Sequence, residues 1–213
     1  MTGSAVQHLR PLAEPPSPET AAETARDQAL MARARAGDSE AYAELFEHYT
    51  ARTYRMAYAL VHNSAVAEDI VQETFLRGLD KIDSYRGEAP PRSWFASITL
   101  NLCRHHHRDG KRAPEKVDTP ALDAGRPVRR IPSRGVLTKA VRREANQQLA
   151  IALGFLTAPQ REVVTLRFAQ GLSYDEIGDL LGMKPGAARA LVFRAKAVLR
   201  DKLDSAVWAS KLL

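Results

Sequence analysis

Lys184, Arg189, Arg194 and Lys196 crowd one short stretch near the C-terminus whose other residues are mostly alanine and branched apolar types. Cations grouped in this way attract polyanions. Ala188, Val192, Ala195 and Leu199 recur at helical spacing through the same stretch, so it reads as a helix from Pro185 with one apolar side and one basic side. Cations late in a helix also complement its dipole. That accounts for Arg200 and Lys202 but not for Lys184 or Arg189 near the start. Just upstream, Ser173-Tyr174-Asp175-Glu176 has the capping-box spacing, in which hydroxyl and carboxylate satisfy amides at a helix start. Ile177, Leu180 and Leu181 form the apolar side of that helix, Gly182 permits a tight turn, and Pro185 opens the next. Two short helices about a glycine turn make a helix-turn-helix, whose second helix meets DNA. Ala187 and Ala190 on its outer side cannot hydrogen-bond base edges. Reading then rests on Lys184, Arg189, Arg194 and DNA shape.

A second constellation lies in the N-terminal half. Asp69, Gln72, Glu73 and Leu76 fall at i, i+3, i+4 and i+7, a polar and acidic stripe ending in leucine, opposite an apolar side formed by Ile70, Val71, Phe75 and Leu79. Taken alone, such a stripe is a solvated surface. A third group, Cys103 with His105, His106 and His107, has the residue types of a zinc site. Adjacent histidines on a helix point about 100° apart, and Cys103 with His107 supplies two ligands at most. No metal or other cofactor is expected, and the histidines read as part of a basic segment near nucleic acid.

The elements that position these groups are all helical. Asp38 can cap a long amphipathic helix through Tyr42, Leu45, Phe46, Tyr49, Met56, Ala57 and Leu60, with a possible break near Tyr49. His62-Asn63-Ser64 interrupts it, and a second helix runs from about residue 65 to 82. A loop with Gly87, Pro90 and Pro91 precedes a third, on which Trp94, Ile98 and Leu102 form a core stripe. Pro159 suits the first turn of a further helix over 160–168. No strand-like alternation of useful length appears, so the fold class is all-α, built as two small helical domains joined by a flexible linker. The expected boundaries are a disordered tail over 1–26, rich in proline and without aromatics; a first domain over 27–109; a basic linker over 110–137; and a helix-turn-helix domain over 138–213. The formal charge of +6 favours nucleic acid as partner. No apolar run approaches the ~20 residues that span a bilayer, and a proline stands where a signal peptide would be apolar, so no membrane partner and a cytoplasmic location are expected. The single cysteine, Cys103, excludes an intramolecular disulfide.

The segment from Leu156 to Leu203, LTAPQREVVTLRFAQGLSYDEIGDLLGMKPGAARALVFRAKAVLRDKL, resembles region four of the bacterial sigma factors. Ala67 to Leu76, AEDIVQETFL, resembles their region two, and the pair is similar to the small sigma factors of the extracytoplasmic-function type. The resemblance implies that Asp69, Gln72, Glu73 and Leu76 dock on core RNA polymerase. It implies that SYRGEAPPRSWFASITLNLCRHHHRD melts and reads the minus-ten promoter element, with Tyr85, Arg86, Arg92, Asn101, Arg104 and Arg108 as contacts. Unpaired bases need aromatics or pockets, and their backbone needs cations. Lys184, Arg189, Arg194 and Lys196 would contact the minus-thirty-five element. The chain departs from the pattern at Lys184, where a hydroxyl residue is usual, and at Leu100, His105 and Leu191. Core polymerase and promoter DNA are the implied partners. An anti-sigma factor is common in the family, although no residue here identifies one.

The rival reading is a stand-alone helix-turn-helix regulator, which binds duplex operators as a symmetric dimer. An enzyme is not expected, because the sequence has no phosphate-binding glycine loop, nucleophile elbow or HExxH spacing.

Overall fold

The structure, a computed structural model, describes residues 21–112 and 152–209. The first of these segments holds four helices, α1 (Ala21–Arg35), α2 (Ser39–Val61), α3 (Ser64–Asp80) and α4 (Pro91–Arg112), with a 3-10 turn at Ile82–Ser84. The second holds α5 (Ala158–Phe168), α6 (Tyr174–Leu181) and α7 (Pro185–Ala209). Among the described residues there is no strand. The expected linker lies outside them beyond residue 112, as does the start of the expected second domain at residue 138.

Helix α1 corrects the expected tail, because it begins inside the 1–26 segment. Its alanine-rich start favours a helix, and its later turns bury Leu30, Met31 and Ala34 against α2. Asp27 is also buried there and accepts a hydrogen bond from the Tyr49 hydroxyl. That contact holds Tyr49 inside the bundle, and α2 passes through it without a break.

Local signals fix the helix ends. Asp38 caps α2 by accepting from the backbone amides of Glu40 and Ala41 at 3.0 and 3.1 Å. Its carboxyl is held below the usual range by those amides and by Arg33. His62 closes α2 in the left-handed region at φ 56°, and Asn63 then caps α3 through the Val66 amide.

Leu79 is a second correction: the apolar pattern places it in the core, yet it is 49% exposed. The buried face of α3 continues through Thr74, Phe75 and Gly78 instead. A Cβ at Gly78 would lie 2.7 Å from the Tyr42 hydroxyl and 3.0 Å from the Phe95 ring. The helices close over the missing side chain, and Leu79 is left outside.

The two halves share a core. One apolar cluster runs from Met56, Leu60 and Leu100 in the N-terminal bundle to Val163, Leu166, Ile177 and Val192 in the C-terminal helices. Ala59 of α2 likewise packs with Leu153, Leu156 and Leu199. Burial of apolar area at about 25 cal/mol per Å² drives this association as it drives each bundle.

Candidate nucleic-acid and polymerase interfaces

The helix-turn-helix forms as its capping signals require. Ser173 Oγ accepts from the Glu176 amide at 3.1 Å, and the Ser173 amide donates to Glu176 Oε2 at 2.7 Å. Gly182, at φ 66°, turns the chain out of α6. A Cβ at Gly178 would stand 2.6 Å from the Met183 carbonyl oxygen, so the turn folds directly back onto α6. Helix α7 packs through Ala188, Val192, Ala195 and Leu199, all buried. Its opposite side exposes Lys184, Arg189 and Arg194, while Lys196 is half-buried.

Two of these cations rest on aromatic rings from outside their own helix. The Arg189 guanidinium lies 5.1 Å from the centroid of Tyr174, and Lys196 Nζ lies 5.1 Å from that of Phe168. Phe193, 75% exposed on the same helix, is a surface residue that the apolar spacing did not single out. The available signal was its position four residues after Arg189, on the outer side.

On α3 the stripe stands as the spacing set it. Asp69 and Gln72 are exposed, Glu73 is half-buried and accepts from Arg77 Nε at 2.6 Å, and Leu76 is 60% exposed. Exposed Leu79 extends the apolar end of this surface.

The expected minus-ten residues, on the loop before α4 and on α4 itself, divide into three groups. Tyr85 is buried, its hydroxyl donating to the Ala89 carbonyl at 2.7 Å and its ring packed edge-on to Trp94. Those contacts fix its ring in the loop. With Arg86 and Gly87 it also bounds a cavity of about 250 Å³, closed on the other side by Gln28, Ala32 and Arg35 of α1. Arg86, Asn101 and Arg108 are exposed, with Arg108 Nη2 2.9 Å from His105 Nδ1. Arg92 and Arg104 face the C-terminal half. Trp94 is half-buried in the aromatic cluster with Phe95, which bears out its place in the core.

Arg92 is buried, and its Nη2 donates to both oxygens of Glu176 at 3.0 and 3.1 Å. Ser93 Oγ donates to the same carboxylate at 2.9 Å. Burial by itself raises the Glu176 carboxyl, but the Ser173 amide, its hydroxyl and the Arg92 guanidinium together hold it below the usual range. Arg104 pairs with Glu162 at 2.7 Å in a more exposed position. Gln170 donates to the Arg52 carbonyl at 2.9 Å, a further polar contact across the junction.

Two members of the histidine group, Cys103 and His107, are engaged with the bundle. Burial pushes the Cys103 thiol up to about 12, and His107 Nε2 lies 2.9 Å from the Leu60 carbonyl oxygen.

A helix-turn-helix with a basic second helix, set on a four-helix bundle that carries an exposed acidic stripe, defines a two-module DNA-reading protein of transcription. Residues 45–113 match the Sigma-70 region 2 family and residues 147–199 match Sigma-70, region 4. The chain is 34% identical to the ECF RNA polymerase sigma factor BldN of Streptomyces coelicolor, over 90% of this chain and 69% of that one. It is 28% identical to the ECF RNA polymerase sigma-E factor of Escherichia coli, over 84% of this chain and 94% of that one. Among solved structures, CnrH in complex with the cytosolic domain of CnrY aligns with a TM-score of 0.65 at 25% identity, covering 84% of this chain and 98% of that one. The chain belongs to the ECF RNA polymerase sigma factors. It binds core RNA polymerase and promoter DNA and directs promoter-specific initiation of transcription. The reading as a stand-alone regulator is set aside, because a region 2 module accompanies the helix-turn-helix. Among the described residues no helix is long and apolar enough to cross a membrane.

Proposed function

We propose that Asp69, Gln72, Glu73 and Leu76 form the surface that docks on core polymerase. The observation that carries this reading is their exposure along one side of α3, with Leu76 and Leu79 as uncovered apolar ground at its end. Polar groups around a small apolar centre are the usual anatomy of a protein interface. Arg86, Asn101 and Arg108 then meet the minus-ten element, and the cavity beside Tyr85 has room for an unpaired base. Arg92 and Arg104 join them by exchanging Glu176 and Glu162 for phosphates, which requires the two halves to part. Lys184, Arg189, Arg194 and Lys196 contact the minus-thirty-five element, with Phe193 as an apolar group for a thymine methyl.

The residues 27–109 and 138–213 act as the two DNA-reading modules, and the segment 110–137 as their connection. The protein works by binding alone, in the cytoplasm, without catalysis, metal or cofactor. The structural neighbour CnrH is solved in complex with the cytosolic domain of CnrY, and a protein partner, an anti-sigma factor, is proposed here too.

The test is run-off transcription by core bacterial polymerase on a promoter library, with wild-type protein and with the D69A/Q72A/E73A variant. Promoter-specific transcripts that disappear with the variant support the docking surface. Undiminished transcripts from the variant would remove it.

A further inference from the structure

Arg189 stands on α7 between Ala187 and Ala190, with Gly186 and Pro185 one turn before it. None of these neighbours can hold a long cationic side chain. Its guanidinium is nevertheless placed, by the ring of Tyr174 from α6. The same ring receives a second guanidinium, that of Arg167, at 4.7 Å. Arg167 is itself anchored, because its Nη1 donates to the Leu172 carbonyl at 2.7 Å in the connection between α5 and α6. Tyr174 therefore links a fixed cation of the scaffold to one exposed on the recognition helix. Phe168, the last residue of α5, repeats the arrangement under Lys196.

An aromatic face and a carboxylate hold a cation with different consequences. A carboxylate takes up the N–H donors and cancels the charge. A ring contacts the flat face of a guanidinium, leaving its in-plane N–H groups free for a phosphate or a base edge. Of the acids on α6, Glu176 is turned towards Arg92. The side chain is restricted before DNA arrives, so less freedom is lost on binding.

We propose that Tyr174 and Phe168 are positioning residues for minus-thirty-five recognition, holding Arg189 and Lys196 in the orientation that meets DNA. This rests on the reading that Arg189 and Lys196 contact that element.

The experiment is a double-mutant cycle in the holoenzyme, with full-length chain and core polymerase on a promoter that it transcribes. Affinity for the initial promoter complex is separated kinetically from the isomerisation that follows. Tyr174→Leu should weaken promoter affinity about two- to five-fold, the range of one exposed cation–π contact, and leave isomerisation unchanged. Tyr174→Phe should restore the affinity, since the ring remains. In an Arg189→Ala background the Tyr174→Leu loss should vanish; the Phe168→Leu and Lys196→Ala pair should behave alike. Equal losses from Tyr174→Leu with and without Arg189 would overturn the proposal, because a tyrosine that only supports the fold acts independently of that arginine. If Arg189→Ala alone leaves affinity and its salt dependence unchanged, the underlying reading fails and the proposal falls with it.

Discussion

Glu176→Gln separates the two tasks of that carboxylate. Glutamine at the third helical position still completes a capping box, so α6 keeps its start. What is lost is the charge opposite Arg92, whose side chain is 7% exposed against 16% for Glu176. Removing one partner of a buried pair costs about 3–5 kcal/mol when the other charge stays buried. Here the junction can open and return Arg92 to water, and the amide oxygen still accepts one hydrogen bond. Closure of the two halves should therefore weaken by about 2 kcal/mol, roughly a thirty-fold shift towards the open form. Small-angle X-ray scattering of the full chain should report a larger radius of gyration. Glu162→Gln is the control, since its partner Arg104 is 44% exposed and such pairs contribute about 1 kcal/mol or less. The pH dependence follows from the depressed carboxyl of Glu176. Its contribution to closure is complete above the ordinary carboxylate value and is lost as pH falls through the lower folded value. Acid should expand the wild type and leave the Glu176→Gln variant less affected. Equal expansion by both single variants, or by neither, would refute the assignment of closure to the buried pair.

The remaining predictions concern packing. Gly178→Ala should destabilise the C-terminal half by about 2 kcal/mol in thermal denaturation, because the new Cβ meets the Met183 carbonyl oxygen at 2.6 Å. Gly186→Ala, with nothing within 4 Å, should be neutral or mildly stabilising in the same assay. Cys103, buried and with its thiol pushed up to about 12, should react with an aromatic disulfide reagent at pH 8 about a thousand-fold more slowly than in the unfolded chain. A native rate equal to the unfolded one would contradict that burial.

Features set by neighbours along the chain were the legible ones. The capping box at Ser173, the turn at Gly182 and the polar stripe from Asp69 to Leu76 each depend on residues within two helical turns. Helix α1 was not legible because its buried side sets Leu30, Met31 and Ala34 beside a carboxylate, Asp27, whose place in the core depends on Tyr49. Leu79 was misplaced because close approach at Gly78, set by Tyr42 and Phe95, shifts the buried face by one residue. Arg92 and Arg104 were read only as cations of a nucleic-acid surface, not as members of ion pairs. Their carboxylate partners lie 84 and 58 residues away, and no local pattern reports such pairings.

Helix α4 carries both of those arginines. Twelve residues separate Arg92 from Arg104, so the two attachments to the C-terminal half stand about 18 Å apart along one rod. With the shared apolar core between them, the two attachments fix the angle of α4 against the C-terminal half as well as its distance, so the recognition helix keeps one bearing relative to the bundle while the halves are closed.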